Sequence, residues 1–284
     1  MPAIKDRVEV AVQKIMFATD FSPVSRTAAA YARAVAHRYS SAVQITHVTD
    51  AVSQDTAQPD PALTTRLGRM LKDFAGTKAE TRLLHTASTP SQTLLEEAQR
   101  TQADMIVVGT SSRQGVEKLL VGSTAETIIR NASCPVLTVG PHVLPPKEDP
   151  LAFHTILYAT DFTPHAAKAA IYALSFAEDC GAHLYLCHVS RVGQTETSEP
   201  QPTEQELEAS LRRLVPPESC ELCTPICVVE HGHTPSALLN LADSIKADLI
   251  VLGSRKSSFW LQYIDTGLTP ALLAGAKCPV LTVC

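Results

Sequence analysis

The sequence contains no apolar run approaching the roughly 20 residues that a membrane-spanning helix requires. It has no run of basic residues either, since its 24 lysines and arginines are scattered among 29 acids, for a formal net charge of −5. No continuous positive face is therefore offered to a nucleic acid backbone, and both nucleic acid and membrane are set aside as partners. The opening stretch MPAIKDRVEVAVQKIMFATD carries charges where a secretory signal has an apolar core, so a cytoplasmic protein is expected. A disulfide framework is also missing. Eight cysteines in 284 residues, several inside apolar stretches such as CPVLTV, predict buried reduced thiols.

What the chain does have is a duplication. KIMFATDFSP at 14–23 returns as TILYATDFTP at 155–164, and ITHV at 45–48 as LCHV at 186–189. ADMIVVGTS at 103–111 returns as ADLIVLGSR at 247–255, and ASCPVLTV at 132–139 as AKCPVLTV at 276–283. Asp20 and Asp161 are 141 residues apart, and Gly109 and Gly253 are 144 apart. So long a period means two tandem copies of one domain rather than a solenoid. The reading places a first domain at 1–140, a linker at 141–153 and a second domain at 154–284. GPHVLPPKEDPLAFH, with four prolines, spans the junction and should be stiff and largely extended.

Within each copy short apolar runs alternate with helical patterns, which implies parallel strands joined by right-handed crossovers. The first copy is expected to place strands at 14–19, 43–48, near 80–85, at 105–108 and at 135–139. Ser22 with Pro23, Thr163 with Pro164, and Thr89 with Pro90 read as N-cap and first helical residue. The helix after Ser22 should bury Ala28, Ala32, Val35, Ala36 and Tyr39, and its twin Ala167, Ala170, Ile171 and Leu174. A helix follows the polar insert SQDTAQPDP, and another closes the copy at 124–131. The fold class is therefore α/β: two tandem five-stranded, mostly parallel, doubly wound Rossmann-like sheets sandwiched by helices. Ligands of such sheets bind outside the carboxyl ends of the strands, which selects Asp20, Val48 and Gly109.

The segment from Gly109 to Ser123 could cradle a phosphate or merely connect a strand to a helix. Ser123 reads as the head of a helix, with Glu126 three residues on completing a capping box, so that free N–H groups face the loop. The same residues also suffice simply to start a helix. No lysine follows the glycines, so this is not a P-loop. For Asp20, capping the first turn of the next helix is the alternative to contacting a ligand.

ATDFS around Asp20, THV at 46–48 and the Gly109–Ser123 loop together resemble the universal stress protein family over nearly the whole chain. Nucleotide-binding members of that family carry G-x2-G-x9-G-[S/T] after strand four. Gly109, Gly122 and Ser123 fit this pattern, while Ser112 stands where its second glycine belongs. A serine there resists positive φ and crowds a phosphate, although the Ser111 and Ser112 hydroxyls can donate hydrogen bonds. The resemblance implies ATP as ligand, with Mg2+ as an option and AMP as a smaller alternative. It implies that Asp20 accepts from the ribose or adenine, that Ala18 and Thr19 line the base pocket, and that Val48 meets the adenine. Val108 and Gly109 would underlie the nucleotide, and Ser112, Gly122, Ser123 and Thr124 would surround the phosphates.

The second copy keeps Gly253 but has Lys256, Thr266 and Gly267 at the next pattern positions, with Phe259 and Trp260 adding bulk. A shift of one residue would instead align Gly267 with Gly122. This copy is expected not to bind triphosphate in the family's manner. The resemblance further implies dimerisation through the last strand, so the twin CPVLTV strands suggest an intramolecular pseudo-dimer, with a homodimer of chains as a further option.

CELCTPICVVEHGH at 220–233 is a second candidate. Cys220 and Cys223 have zinc-ligand spacing, with Cys227, His231 and His233 to complete a set. However, PICVVE reads as a strand that turns Cys227 toward the core, so no metal site is assigned. His47 and His188 read as satisfied strand histidines. The expected function is a non-enzymatic stress-response module that binds adenine nucleotide in the first copy and signals to an unidentified protein partner. A slow ATP hydrolase and a nucleotide-free tandem scaffold are the alternatives.

Overall fold

A computed structural model describes residues 10–50, 60–110, 122–190, 202–253 and 267–284. They form two compact units, one of Ala11–Ala152 and one of Phe153–Cys284 together with Val10. The first contains β1 (Lys14–Ala18), α1 (Pro23–Tyr39), β2 (Ala42–Asp50), α2 (Pro61–Lys72) and β3 (Lys78–Thr86), then α3 (Pro90–Thr101), β4 (Met105–Gly109), α4 (Ser123–Asn131) and β5 (Val136–Val139). Its strands lie in the order β3-β2-β1-β4-β5, and every pair is parallel. The chain starts in the middle of the sheet, winds outward to β3, then returns through α3 to build the other side. Strand order thus reverses between β1 and β4.

The second unit repeats this plan. It contains β6 (Thr155–Ala159), α5 (Pro164–Cys180), β7 (His183–Ser190), α6 (Glu204–Arg212) and β8 (Thr224–His231), then α7 (Thr234–Ser244), β9 (Leu249–Gly253), α8 (Leu268–Gly275) and β10 (Val280–Val283). A 3-10 turn at Pro217–Glu221 precedes β8. The order is β8-β7-β6-β9-β10, again parallel throughout. Among the described residues no helix is long and apolar enough to cross a membrane.

The helix starts follow from short polar side chains placed before proline. Ser22, Thr89 and Thr163 each accept the N–H three residues on, and Asp60 accepts that of Ala62 to begin α2. Ala28, Ala32, Val35 and Ala36 of α1 are buried as expected, with Tyr39 half-buried at the helix end. On α5 the buried stripe is Ala166, Ala169, Ala170, Ala173, Leu174 and Ala177, whereas Ala167 and Ile171 are only half-buried. That helix is apolar on most sides, so periodicity alone does not set its face. Its approach to Gly253 does. A Cβ on that glycine would lie 2.7 Å from Ala166 N and from the carbonyl of His165.

Residues 140–152 are bound to the first unit along α1. Tyr31 Oη donates to Leu144 O (3.1 Å), Leu151 N–H to Ala34 O (3.0 Å), and Arg33 Nε to Asp149 Oδ2 (2.7 Å). The other Asp149 oxygen meets the His37 ring, and Val143 and Leu151 are buried.

One buried charge network ties α3 to the sheet. Glu97 is 6% exposed and accepts Arg100 Nε at 2.7 Å and Arg100 Nη2 at 2.8 Å. Gln44 Nε2 of β2 donates to it at 2.7 Å, and Arg82 Nε of β3 lies 3.6 Å away. The Arg100 hydrogen bonds hold the carboxyl below its ordinary range, against the opposing effect of burial. A carboxyl lowered in the folded state stabilises above its unfolded pKa and loses that contribution as pH falls through the folded value. Glu97→Gln should therefore cost about 2 kcal/mol at pH 7, with the solvent-exposed arginines limiting the effect. Urea unfolding followed by circular dichroism should show the deficit shrinking toward pH 3. An equal deficit at both pH values would contradict the ion-pair account.

Candidate functional site

The reversal of strand order opens a crevice above the carboxyl ends of β1 and β4, where doubly wound sheets take their ligands. Ala18 of β1 stands in register with Val108 of β4, and both are buried, giving the crevice an apolar floor. β2 runs on past the end of β1, for Ala18 pairs with Thr46, and half-buried Val48 lies two residues further along. The sequence-predicted group Ala18, Thr19, Asp20, Val48, Val108 and Gly109 is thus gathered on adjacent strand ends.

The turn from β1 into α1 is held by its own side chains. Thr19 Oγ1 accepts the Phe21 N–H at 3.0 Å and lies 2.7 Å from Ser25 Oγ. Asp20 Oδ1 accepts the Ser22 N–H at 2.9 Å, which steadies the turn ahead of α1, but the cap of α1 is Ser22 and not Asp20, and Asp20 itself is exposed. Phe21 takes a left-handed φ of 61°, unusual for a residue with a ring. Its ring centroid lies 4.6 Å from that of His47, and the Arg66 guanidinium sits 4.1 Å above it. His47 donates from Nδ1 to Thr19 O at 2.7 Å, which satisfies the strand histidine. The second unit reproduces the turn with Phe162 at φ 59°, His188 Nδ1 donating to Thr160 O at 2.9 Å, and Asp161 Oδ1 accepting the Thr163 N–H at 3.0 Å. Phe21 and Arg66 are residues that sequence reasoning missed. The repeat of DFS as DFT, alongside THV and CHV, was the available signal.

A helix that joins two parallel strands begins at the carboxyl edge of the sheet, so α4 points its N-terminus at the crevice side. The expected capping box is not formed. Gly122, not Ser123, is the N-cap, and no side chain caps the helix. Ser123 is the first helical residue, and the Glu126 carboxylate instead pairs with Arg130. Glycine at the N-cap has no side-chain oxygen, its carbonyl being taken by the Glu126 N–H at 3.0 Å, so the first N–H groups of α4 lack the capping side chain that α1, α2 and α3 possess. Ser123 is exposed and Thr124 half-buried. Ser112 lies outside the described residues, as do Ser111, Lys256, Phe259, Trp260 and Thr266.

Residues 11–140 and 152–283 each match the Universal stress protein family. The chain belongs to that family. It carries two of its domains in tandem. The universal stress protein MJ0531 of Methanocaldococcus jannaschii is 33% identical over 45% of this chain and 81% of its own length. A solved universal stress protein from Archaeoglobus fulgidus superposes with a TM-score of 0.71, covering 96% of this chain and 97% of that one at 19% identity, which shows the tandem fold. A universal stress protein solved in complex with cAMP is 25% identical over 45% of this chain, with a TM-score of 0.37.

In the second stress-protein domain Gly267 is the N-cap of α8, the position Gly122 holds on α4. The one-residue shift is therefore the correct alignment, and Leu268 stands where the first domain has Ser123. Cys220, Cys223, Cys227, His231 and His233 do not converge. Among the described residues no group of three His, Cys, Asp or Glu is arranged to hold a metal ion. His233 Nδ1 instead meets Ser236 Oγ at 2.9 Å, in a hollow lined by Glu230, His231 and Asn240.

Gly109 has a packing duty of its own. A Cβ there would stand 3.0 Å from Ser25 N and 3.1 Å from Val24 C, in the first turn of α1. Gly253→Ala should cost about 2–3 kcal/mol and Gly109→Ala about 1 kcal/mol, in line with the tighter contact at Gly253. Amide hydrogen exchange across β4 and α1, compared with β9 and α5, reads each domain separately. If Gly109→Ala left protection unchanged, the packing role would be wrong.

Proposed function

We propose that the first domain binds an adenine nucleotide, ATP in the fullest case, and acts as a non-enzymatic switch in a stress response. The observation that carries this reading is the start of α4, whose N-cap is a glycine that offers the leading amides no side-chain acceptor, at the edge of the sheet where strand order reverses. Free amides and the positive end of a helix dipole suit an anionic phosphate. In this reading Gly122, Ser123, Thr124 and Ser112 surround the phosphates, and Val108 and Gly109 lie beneath the nucleotide. Ala18, Thr19 and Val48 line the base pocket, with Asp20 accepting from ribose or adenine. The Thr19 hydroxyl is engaged by Phe21 and Ser25, so its share is shape rather than a hydrogen bond. ATP would bring a phosphate chain long enough to reach the α4 amides, and Mg2+ would travel with it. AMP would make fewer of those contacts. Occupancy would then alter the surface offered to a protein partner.

Hydrolysis needs a group that orients or activates water. His47, the titratable ring beside the crevice turn, has Nδ1 committed to Thr19 O, which favours binding over turnover. One observation favours the nucleotide-free scaffold instead: Gly109 and the Phe21 turn both have packing reasons that recur in the second domain.

Protein purified without added nucleotide and then denatured should release adenine nucleotide at about one per chain, and titration calorimetry should show ATP binding. Gly122→Val should abolish that binding. The N-cap torsions of φ −56° and ψ 134° suit any residue, so backbone strain would not account for the loss. Asp20→Ala should weaken binding about tenfold, equivalent to about 1.4 kcal/mol. Lys256→Ala should change nothing. Loss of binding in Lys256→Ala with retention in Gly122→Val would move the site to the other domain.

A further inference from the structure

We infer that Cys220 and Cys223 form a reversible dithiol site in the second domain, oxidised by a peroxide to an intramolecular disulfide. Cys220 lies in the 3-10 turn Pro217–Glu221 and Cys223 just beyond it, at the amino end of β8, away from the strand ends that would hold a nucleotide. Cys223 lies past the 3-10 helix but within one helical turn of Cys220, and side chains three apart on such a turn have Cβ atoms about 5–6 Å apart. Cα atoms joined by a disulfide lie about 4.4–6.8 Å apart, which residues three apart on one helical turn satisfy, so a bond needs a slight closing of the turn rather than a rearranged backbone. The chain stays helically turned as far as Cys223, because Leu222 N–H reaches Ser219 O at 3.1 Å in the 3-10 manner and Cys223 N–H reaches the same oxygen at 2.9 Å, as in one turn of α-helix. Ser219 is itself buried and anchors the turn.

The two thiols are unequally placed. Cys220 is exposed, whereas Cys223 is 6% exposed and its Sγ lies 3.3 Å from Ser219 O. Burial, with the Glu178 carboxylate and the Cys220 thiolate nearby, pushes the Cys223 thiol up to about 11. An accessible sulfur thus meets oxidant first while a covered one waits beside it. Cys227 is four residues along an extended strand from Cys223, about 13 Å at strand rise, and out of disulfide reach. Since no third ligand joins the two thiols among the described residues, two-electron oxidation suits the pair better than zinc.

The chemistry balances with the peroxide as sole oxidant. The Cys220 thiolate attacks a peroxide oxygen, forming S–O and breaking O–O, and the departing hydroxide takes a proton to become water. The Cys223 sulfur then attacks the Cys220 sulfur, forming S–S and breaking S–O, and the hydroxide released takes the Cys223 proton. Two thiols and one hydrogen peroxide become one disulfide and two waters.

The full chain should be treated with hydrogen peroxide, blocked with N-ethylmaleimide and digested with trypsin for mass spectrometry. The peptide 214–246 should lose two of its three maleimide adducts and two hydrogens, with Cys227 still alkylated, and dithiothreitol should restore both adducts. Cys227→Ser should leave the bond intact, and Cys220→Ser should abolish it. In Cys223→Ser, Cys220 should proceed to sulfinic acid. A disulfide to Cys227 or Cys180, or Cys220 overoxidised in the unsubstituted chain with Cys223 still alkylated, would overturn the assignment.

Discussion

The architecture around the candidate site depends on how closely α1 lies against the end of β4. A Cβ beneath the first turn of that helix would press on Ser25 and Val24 at 3.0–3.1 Å, so Gly109 fits there without displacing them. That closeness favours the small side chains Ala28, Ala29, Ala32 and Ala36 on the buried face of α1 and brings Ser25 Oγ within 2.7 Å of Thr19 Oγ1. The chain must then turn from β1 into α1 within four residues. It does so by placing Phe21 in the left-handed region, a cost of about 1 kcal/mol or more. Contacts of its ring with His47 and Arg66 offset part of that cost. A consequence is that Asp20 stands outward at the mouth of the crevice. Its exposure is geometric before it is functional.

The second domain separates these two aspects. It keeps the backbone of the turn and the Phe162, His188, Asp161 and Gly253 relations, though Ala166 replaces Ser25 and removes its hydroxyl contact, and the approach of α5 to Gly253 is tighter still. The domains diverge at the start of the helix after strand four. Both α4 and α8 open on a glycine N-cap, but the next residue is Ser123 in one and Leu268 in the other. Fold requirements are thus met twice, while a hydroxyl suited to phosphate occurs at that position once. That asymmetry is the structural ground for proposing the nucleotide site in the first domain alone.

The sequence was most legible where structure is decided locally. Ser22, Thr89 and Thr163 were readable as caps because a short side chain bonds to an amide three residues away and needs nothing from the rest of the fold. The α4 start was misread for a related reason. Ser123 and Glu126 have capping-box spacing, but Gly122 occupies the cap, and Arg130 one turn on competes for the Glu126 carboxylate. The buried face of α5 was not readable because alanines surround that helix and the choice rests on Gly253, about ninety residues distant in sequence. The left-handed φ of Phe21 left no trace at all, since aromatic residues are not where such a torsion is sought. The phosphate segment was legible only by pattern. Its serine at 112 falls outside the described residues.

A switch requires that the ligand bind two conformations unequally, and the packed crest limits where that inequality can arise. Thr19, Phe21, Ser25 and His47 are fixed to one another through short contacts that do not involve a ligand. They would contribute equally to both states and so could supply affinity but not signal. The α4 start is different, because its glycine cap offers the leading amides no side-chain acceptor, and in the proposed reading a bound anion would supply one. In the proposed reading a diphosphate or triphosphate would engage them more fully than a monophosphate. If the domain signals, it should therefore discriminate by phosphate number more than by base, since base contacts rest on the invariant crest. A tenfold preference needs only about 1.4 kcal/mol, within the reach of one or two charge-assisted hydrogen bonds to backbone amides.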